Sequence, residues 1–301
     1  MKFKILSIDG GGIRGVYPAH ILQRIEENFS IKCGEHFNMI AGTSTGSIIA
    51  AALAMAIPAQ TIKDMYFNHG ADIFQKQFGG ALKLFKSRYS MHQLKSILYD
   101  VFKDKRLGEI SAPLMIFATN IVSGCVHVFK SAYSQDFVRD QNVKIVDAVM
   151  ASCAAPTFFD PHRMEDYMLS DGGLWANNPS LAAYIEATTR LNQPPANVKV
   201  FSIGTGTGKT VYSFHNIQKK WWGFLTGWRR EALINLILNS QSESTSNMVK
   251  LLLKDNYLRI NFNSDKELSL DQAKWLPHFK SYADSDFTHN SKQIREFIEI
   301  Q

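Results

Sequence analysis

The chain has 301 residues, 45% of them hydrophobic, which is enough for one large α/β domain or two smaller ones with a substantial core. Its net charge of +6 and pI near 9.1 are mildly basic and favour anionic surfaces or ligands through the general field, not through a specific site. The cysteines, Cys33, Cys125 and Cys153, are odd in number and widely spaced, which argues against a disulfide framework or a paired-cysteine zinc site. Because no stretch is typical of a signal peptide or a transmembrane helix, we expect a cytoplasmic protein.

The chain opens on a predicted strand at residues 3–8, and residues 9–15 then read Asp-Gly-Gly-Gly-Ile-Arg-Gly before a predicted helix at 17–29. A strand, a glycine loop and a helix N-terminus together can bind an anion through backbone amides. The glycine spacing also fits a dinucleotide fingerprint, but no acidic residue closes a second strand about 20 residues later. An oxyanion hole is the better interpretation, since its donors must lie close to a nucleophile.

That nucleophile is predicted at Ser44. Residues 37–41 indicate a buried strand, and residues 47–57 indicate a buried helix because they are apolar almost all round. Gly42 and Gly46 flank Ser44 at the spacing of the sharp strand-to-helix turn called the nucleophile elbow. The helix N-terminus behind the serine favours developing negative charge. The alternative is a glycine-rich helix start that carries no chemistry.

A carboxylate follows a later predicted strand. Residues 113–122 and 126–129 flank a Ser-Gly turn typical of a hairpin, so part of the sheet is expected to be antiparallel. Residues 167–170 form a short strand that ends at Asp171-Gly172-Gly173. Taken alone, Asp171 is a common turn residue. Together with Ser44 it is a candidate for the base that a nucleophilic serine needs.

The last predicted core strand, at 197–203, precedes a sequence that looks like a phosphate loop. Residues 204–210 read Gly-Thr-Gly-Thr-Gly-Lys-Thr, but Ile203 occupies the position where that loop requires its first glycine. We therefore interpret residues 201–206 as a strand and its turn. The alternation of strands and helices over most of the chain favours a largely parallel sheet between helices.

Residues 219–230 combine tryptophans with lysines and arginines and contain no acidic residue. Three interpretations stay open: contact with the lipid–water interface, a buried aromatic cap over the active site, or recognition of an anionic regulatory ligand. Residues 78–86 are similar in kind and predict either a lid with a glycine hinge or a loop between helices.

In the order and spacing of its three motifs, the chain resembles the patatin-like phospholipases over roughly residues 3–208, including the small-residue segment 153–159. The resemblance implies a three-layer α/β/α fold and a Ser44–Asp171 dyad that requires no metal and no cofactor. It further implies an oxyanion hole at Gly10, Gly11 and Gly12. Two roles are open for Arg14: support of the substrate phosphate or the oxyanion, or a structural brace for the loop. The activity it implies is acyl-ester hydrolysis of membrane glycerophospholipids, by peripheral contact with the inner membrane surface.

Some bacterial members of this family are anti-phage effectors activated by cyclic oligonucleotides, so the resemblance allows a cyclic dinucleotide activator and a homo-oligomer. We expect a single domain over 1–301, with a catalytic core at 3–208 and a helical, aromatic extension at 209–301. Two other functions remain as alternatives. An α/β-hydrolase would place several strands before its serine and need a downstream histidine. A non-catalytic binding or storage protein could use the same scaffold.

Overall fold

The computed structural model describes residues 2–75, 86–209, 212, 221–223 and 226–299. The strands are β1 (Phe3–Ile8), β2 (Met39–Thr43), β3 (Leu114–Asn120), β4 (Cys125–Lys130), β5 (His162–Met164), β6 (Tyr167–Asp171), β7 (Val198–Ile203), β8 (Thr207–Gly208), β9 (Tyr257–Ile260) and β10 (Asn263–Ser264). The helices are α1 (Val16–Phe29), α2 (Cys33–His36), α3 (Thr45–Ala54), α4 (Ala59–Ile73), α5 (Met91–Phe102), α6 (Ile145–Ser152), α7 (Gly173–Ala176) and α8 (Ser180–Thr189), followed by a long helix (Arg230–Leu253) and a C-terminal helix (Leu276–Phe297).

The main sheet has the strand order β5-β6-β3-β2-β1-β7-β9, with β4 paired to β3. The strands from β3 through β2, β1 and β7 to β9 are parallel to their neighbours. The pairs that β3 forms with β4 and β6, and the pair of β5 with β6, are antiparallel. The predicted, largely parallel sheet with an antiparallel hairpin is therefore confirmed.

Helices cover both faces of this sheet, as the three-layer prediction requires. Successive residues of a strand point to opposite faces, so Ile5 and Leu6 of β1 belong to two different hydrophobic clusters. The larger cluster packs under α1, α3, α4, α5, α6 and the C-terminal helix. The smaller one packs under α7, α8 and the end of the long helix. Every residue of β2 is buried, because this strand lies in the middle of the sheet with a helical layer on each side.

Strand β9 was not predicted. It follows the long helix and pairs in parallel with β7, so part of the segment expected to be a helical, aromatic extension completes the edge of the main sheet. Only four residues long, it buries Leu258 and Ile260 and keeps the charged Arg259 between them. A short alternating run of this kind is a weak sequence signal, and the parallel pairing with a strand more than 50 residues earlier supplies its stability.

Across the described residues, no helix combines the length and apolar character that crossing a bilayer requires. The predicted lid or loop at 78–86 lies outside the described residues, apart from Lys86.

Candidate active site

Ser44 lies at the sharp turn between β2 and α3. Its backbone has φ 52° and ψ −124°, a conformation that residues with a side chain rarely adopt. The close approach of the two elements explains the flanking glycines: a Cβ on Gly42 would lie 2.1 Å from the carbonyl oxygen of Gly46, and one on Gly46 would lie 2.3 Å from that of Ile8. The predicted elbow geometry is therefore present.

A hydroxyl from a neighbouring helix holds this strained turn. The backbone N–H of Ser44 donates to Oγ of Ser152 at 2.9 Å, and that hydroxyl donates in turn to the carbonyl oxygen of Phe117 at 2.6 Å. Ser152 is fully buried at the end of α6 and so links the elbow to β3. The sequence analysis missed Ser152, because a lone serine 108 residues away carries no local signal.

The structure brings Asp171 to Ser44. Asp171 ends β6, is 4% exposed, and accepts a 2.7 Å hydrogen bond on Oδ1 from the backbone N–H of Gly173. Burial raises the pKa of the Asp171 carboxyl to about 6, although the hydrogen bond from Gly173 and the nearby Ser44 hydroxyl favour its charged form. A carboxylate with a pKa close to neutral is a better proton acceptor than an ordinary aspartate.

The glycine loop after β1 presents its amides to the same place. Gly11 and Gly12 line the cavity that holds Ser44 and Asp171, and their N–H groups have no hydrogen-bond partner within the described part of the chain. Gly10 differs, since its N–H already donates to the carbonyl oxygen of Asn177 at 3.0 Å. The amide of Gly10 therefore holds the loop in place, and of the three predicted donors Gly11 and Gly12 are the ones with N–H groups available to a ligand.

Arg14 braces this loop from behind. Its side chain is 2% exposed, and Nε donates to the carbonyl oxygen of Gly11 at 3.1 Å while Nη1 lies 3.4 Å from that of Gly206. Burial lowers the pKa of the Arg14 guanidinium to about 10, and the charge of Asp9 partly opposes this shift. Arg14 does not line the cavity at Ser44. The contacts favour the brace over direct contact with a substrate phosphate.

A second set of polar side chains holds Asp9, the first residue of the loop. Arg259 contacts both carboxylate oxygens of Asp9, at 2.6 and 3.2 Å, and the Ser242 hydroxyl donates to the same carboxylate at 3.0 Å. Nδ2 of Asn177 donates to the Ser242 hydroxyl at 2.9 Å. Sequence reasoning missed Arg259 and Ser242, which lie more than 230 residues from Asp9 and in no motif.

The cavity in front of Ser44 has an empty volume of about 630 Å³, and apolar side chains form most of its wall. These apolar side chains are Ile13, Ile48, Tyr66, Ile73, Phe74, Leu94, Phe158, Phe159, Leu238 and Leu270.

No histidine lines this cavity among the described residues, and His278 and His289 are exposed on the C-terminal helix. His215, the other candidate considered for a triad, lies outside the described residues. The described chain also contains no group of three or more acidic, histidine or cysteine side chains that could hold a metal ion.

Only part of the segment 219–230 is described. Trp221 is 86% exposed, whereas Trp222 and Trp228 are about half as exposed and pack edge to face with their ring centroids 5.1 Å apart. Tyr212 contacts both of these tryptophans. The exposure of Trp221 favours the interfacial interpretation over the buried cap.

Comparison with known proteins identifies the family of the chain. Residues 6–184 match the family model described as "Patatin-like phospholipase", so the chain belongs to the patatin-like phospholipase family. It is 31% identical over 280 residues to a "cGAMP-activated phospholipase" of Pseudomonas aeruginosa, covering 90% of this chain and 80% of the relative. A second "cGAMP-activated phospholipase", from Escherichia coli, is 29% identical and covers 99% of this chain and 93% of its own length. A "cUMP-AMP-activated phospholipase" of Escherichia coli is 27% identical, with 98% and 93% coverage.

Proposed function

We propose that this patatin-like phospholipase hydrolyses acyl esters of membrane glycerophospholipids, with Ser44 as the nucleophile and Asp171 as its base. One observation carries the proposal: the Ser44 hydroxyl and the buried Asp171 carboxylate line the same apolar cavity as Gly11 and Gly12, whose N–H groups have no partner among the described residues. A nucleophile, a base and oxyanion donors are what acyl transfer requires.

The reaction follows from these positions. Asp171 accepts the proton of the Ser44 hydroxyl while Oγ attacks the ester carbonyl, and the N–H groups of Gly11 and Gly12 bind the oxygen that becomes negative. The tetrahedral intermediate collapses, the C–O bond to the glycerol breaks, and the leaving alkoxide takes the proton from Asp171. Water then attacks the acyl-serine, again giving its proton to Asp171. Breakdown of that second intermediate releases a fatty acid and returns the proton to Ser44.

The cavity wall supports a lipid substrate. An acyl chain on these aliphatic and aromatic side chains would leave water, which stabilises binding by about 0.8 kcal/mol for each buried CH2 group. The exposed indole of Trp221 and the basic residues around it suit a lipid–water interface. We therefore place the enzyme in the cytoplasm, in peripheral contact with the inner membrane surface.

The relatives suggest regulation. Because they are named as phospholipases activated by cGAMP or cUMP-AMP, we propose that a cyclic dinucleotide activates this chain, which would suit a role in antiviral defence. We further propose that residues 1–301 fold as one domain, because Arg259, Ser242 and Leu270 all contact the glycine loop. Assembly into a homo-oligomer belongs to the same proposal and is measured by light scattering with and without the nucleotide.

The test is product analysis. Purified protein is incubated with mixed bacterial lipids, with and without cGAMP or cUMP-AMP, and the released species are identified by mass spectrometry. We expect free fatty acids and lysophospholipids from the wild type and neither from Ser44→Ala. Intact lipids under every condition, or equal release by folded Ser44→Ala, would contradict the proposal.

A further inference from the structure

The glycine loop rests on a segment from the far end of the chain. The backbone N–H of Ile13, directly after the proposed oxyanion donors, donates to the carbonyl oxygen of Leu270 at 2.8 Å. Gly12 has φ 59°, and a Cβ at this position would lie 2.2 Å from the same carbonyl oxygen. The Leu270 carbonyl therefore packs against the turn that carries the donors, and a shift of this carbonyl would change the direction of their N–H groups.

Side chains fix the position of this segment. Residues 265–272 belong to no helix or strand, so regular backbone pairing does not hold Leu270 in place. The neighbouring Asp271 supplies an anchor, with a side chain that is only 7% exposed. Its Oδ2 accepts from Nη1 of Arg88 at 2.7 Å and from the hydroxyl of Tyr89 at 2.6 Å. Two partners on one oxygen fix both the position and the direction of the carboxylate.

The Asp271 carboxyl stays ionised in these surroundings. Ser269 donates to its other oxygen, Oδ1. Burial alone would raise the pKa of Asp271, but the hydrogen bonds from Ser269, Tyr89 and Arg88 outweigh burial and hold the pKa below its ordinary value. Hydrogen bonds to a charged acceptor are stronger than those between neutral groups. The anchor is therefore in place at every pH at which the proposed base is ionised.

The two partners of Asp271 belong to the wall of the catalytic cavity. The backbone N–H groups of Arg88 and Tyr89 donate to the carbonyl oxygens of Thr157 and Phe158, at 3.2 and 2.8 Å. The side chain of Phe158 lines the cavity, and the Arg88 guanidinium lies 5.8 Å from the centre of its ring. Asp271 thus ties the segment behind the glycine loop to the wall against which the ester would bind.

We propose that Asp271 is a positioning residue for the oxyanion donors, an inference that rests on the proposed function. Asp271 does not line the catalytic cavity. It acts through the carbonyl oxygen of Leu270 and the N–H of Ile13, which fix the turn at Gly12. The donors bind charge that develops only in the transition state. A displaced loop should therefore lower kcat and leave binding of the intact ester nearly unchanged.

The expected size of the effect follows from how accurately the donors must be placed. Complete loss of one oxyanion donor costs about 10²–10³ in rate, and a misplacement of about 1 Å costs up to about 10². Removing the anchor displaces the donors without deleting them. We therefore expect Asp271→Ala to lower kcat about 30-fold and Asp271→Asn, which keeps one acceptor oxygen, about fivefold, with KM changed by less than about twofold.

The kinetic experiment compares these variants with a matched control, Asp140→Ala. Asp140 has a similarly buried side chain, 6% exposed, and pairs with Nε of Arg139 at 2.7 Å, but it also accepts from the N–H of Lys130 on β4 and does not line the catalytic cavity. Steady-state rates on a short soluble ester give kcat and KM. An alkyl trifluoromethyl ketone, which forms a hemiketal with a nucleophilic serine, tests the oxyanion donors through its inhibition constant. Thermal denaturation verifies that each variant is folded.

Hydrogen exchange gives a second readout that is independent of activity. The bond to Leu270 protects the N–H of Ile13 from exchange. Peptides that cover residues 9–15 should therefore exchange faster in Asp271→Ala, whereas the same peptides of Asp140→Ala should match the wild type. Unchanged exchange in Asp271→Ala would overturn the proposal, because the segment would then hold the loop without its anchor.

We expect the inhibition constant of the ketone to rise by the same factor as kcat falls, and the inflection of the kcat profile to stay near pH 6, since Asp171 is untouched. Three kinetic results would overturn the positioning role and leave the proposed function intact: a wild-type kcat in Asp271→Ala, an equal loss in Asp140→Ala, or a rise in KM with unchanged inhibition by the ketone. A wild type that neither hydrolyses the ester nor binds the ketone would instead reject the proposed function, and this inference with it.

Discussion

Asp171 connects the chemistry of the site to pH. Its carboxyl is fully buried, which raises its pKa to about 6, and the proposed reaction needs it ionised to take the proton of Ser44. We expect kcat on a soluble ester to fall about tenfold per pH unit below pH 6 and to level off above pH 7. The pH profile of kcat measures this. A histidine side chain has an ordinary pKa of about 6.5 and could produce a similar profile. The control is therefore the same profile for His278→Ala and His289→Ala, which should be unchanged. A profile that stays flat down to pH 4.5 would contradict the assignment.

The same burial predicts a stability effect with a definite sign. The pKa of Asp171 is about 6 in the folded chain and near its ordinary value of 3.8 in the unfolded chain, so the folded state binds the proton more tightly. This favours the folded state at low pH, and the contribution is lost as pH rises through 6. Asp171→Asn keeps an acceptor for the N–H of Gly173 and removes the buried charge. We expect it to be inactive but up to about 3 kcal/mol more stable at pH 7.5, by urea unfolding.

The stability difference between Asp171→Asn and the wild type should shrink as pH falls below 6. A variant that is less stable than the wild type at pH 7.5 would show that the interactions of the carboxylate outweigh its desolvation.

Among the individual site residues, the sequence identifies those that lie in local motifs and misses those that reach the site from distant parts of the chain. Ser44, Asp171, Gly11 and Gly12 follow strands within a few residues, so their spacing predicts their position. Arg259 reaches the site only because β9 pairs with β7, and nothing in the residues around it signals that pairing. Likewise the hydrogen bond that occupies the N–H of Gly10 is accepted by Asn177, 167 residues away.

At the level of helices and strands, the contact between the end of α6 and the Ser44 turn should affect the catalytic rate. Ser152 holds the Ser44 N–H, and without it the positive-φ turn loses a hydrogen bond of about 1 kcal/mol. We expect Ser152→Ala to lower kcat roughly tenfold with little change in KM, since the substrate cavity is unaffected. Steady-state kinetics on a soluble ester measure both constants.

The matched control for Ser152→Ala is Ser131→Ala. Ser131 is also fully buried, accepts from the backbone N–H of Leu114 at 2.9 Å and donates to the carbonyl oxygen of Ala112 at 2.7 Å, but it lies beside the start of β3, away from the elbow turn. Ser152→Ala and Ser131→Ala should lose similar thermal stability, and only Ser152→Ala should lose kcat. Equal kinetic losses would mean that Ser152 acts through general stability alone.

The elements themselves were predictable where hydrophobic patterning was strong. The buried strands and the apolar helix α3 follow from their composition, whereas β9 is short and carries a charge at its centre. The polar face of the long helix at 239–247 follows helical spacing, but spacing alone does not show that it lines a polar cavity instead of facing solvent. The turn at 204–206 was correctly predicted to follow a core strand, and the structure adds that Thr205 and Gly206 line the same cavity.

For the whole molecule, the proposed membrane contact centres on the exposed Trp221. Removing its indole takes an interfacial anchor away without touching the catalytic cavity. We expect Trp221→Ala to weaken binding to anionic lipid vesicles severalfold in a sedimentation assay and to leave hydrolysis of a soluble ester near the wild-type rate. Val138→Ala, which also shortens an exposed apolar side chain, is the control and should change neither. Unchanged vesicle binding by Trp221→Ala would place the membrane contact elsewhere.

The central claim is that Ser44, activated by Asp171, is the nucleophile of this phospholipase. Covalent labelling with a long-chain fluorophosphonate, followed by peptide mass spectrometry, tests it most directly because the reagent forms a stable bond with an activated serine. The account predicts one label, on Ser44, in the wild type, in His278→Ala and in His289→Ala, and its loss or strong slowing in Asp171→Asn. Two results would contradict this account. One is labelling of a residue other than Ser44 that parallels the loss of esterase activity, and the other is undiminished labelling of Ser44 in folded Asp171→Asn.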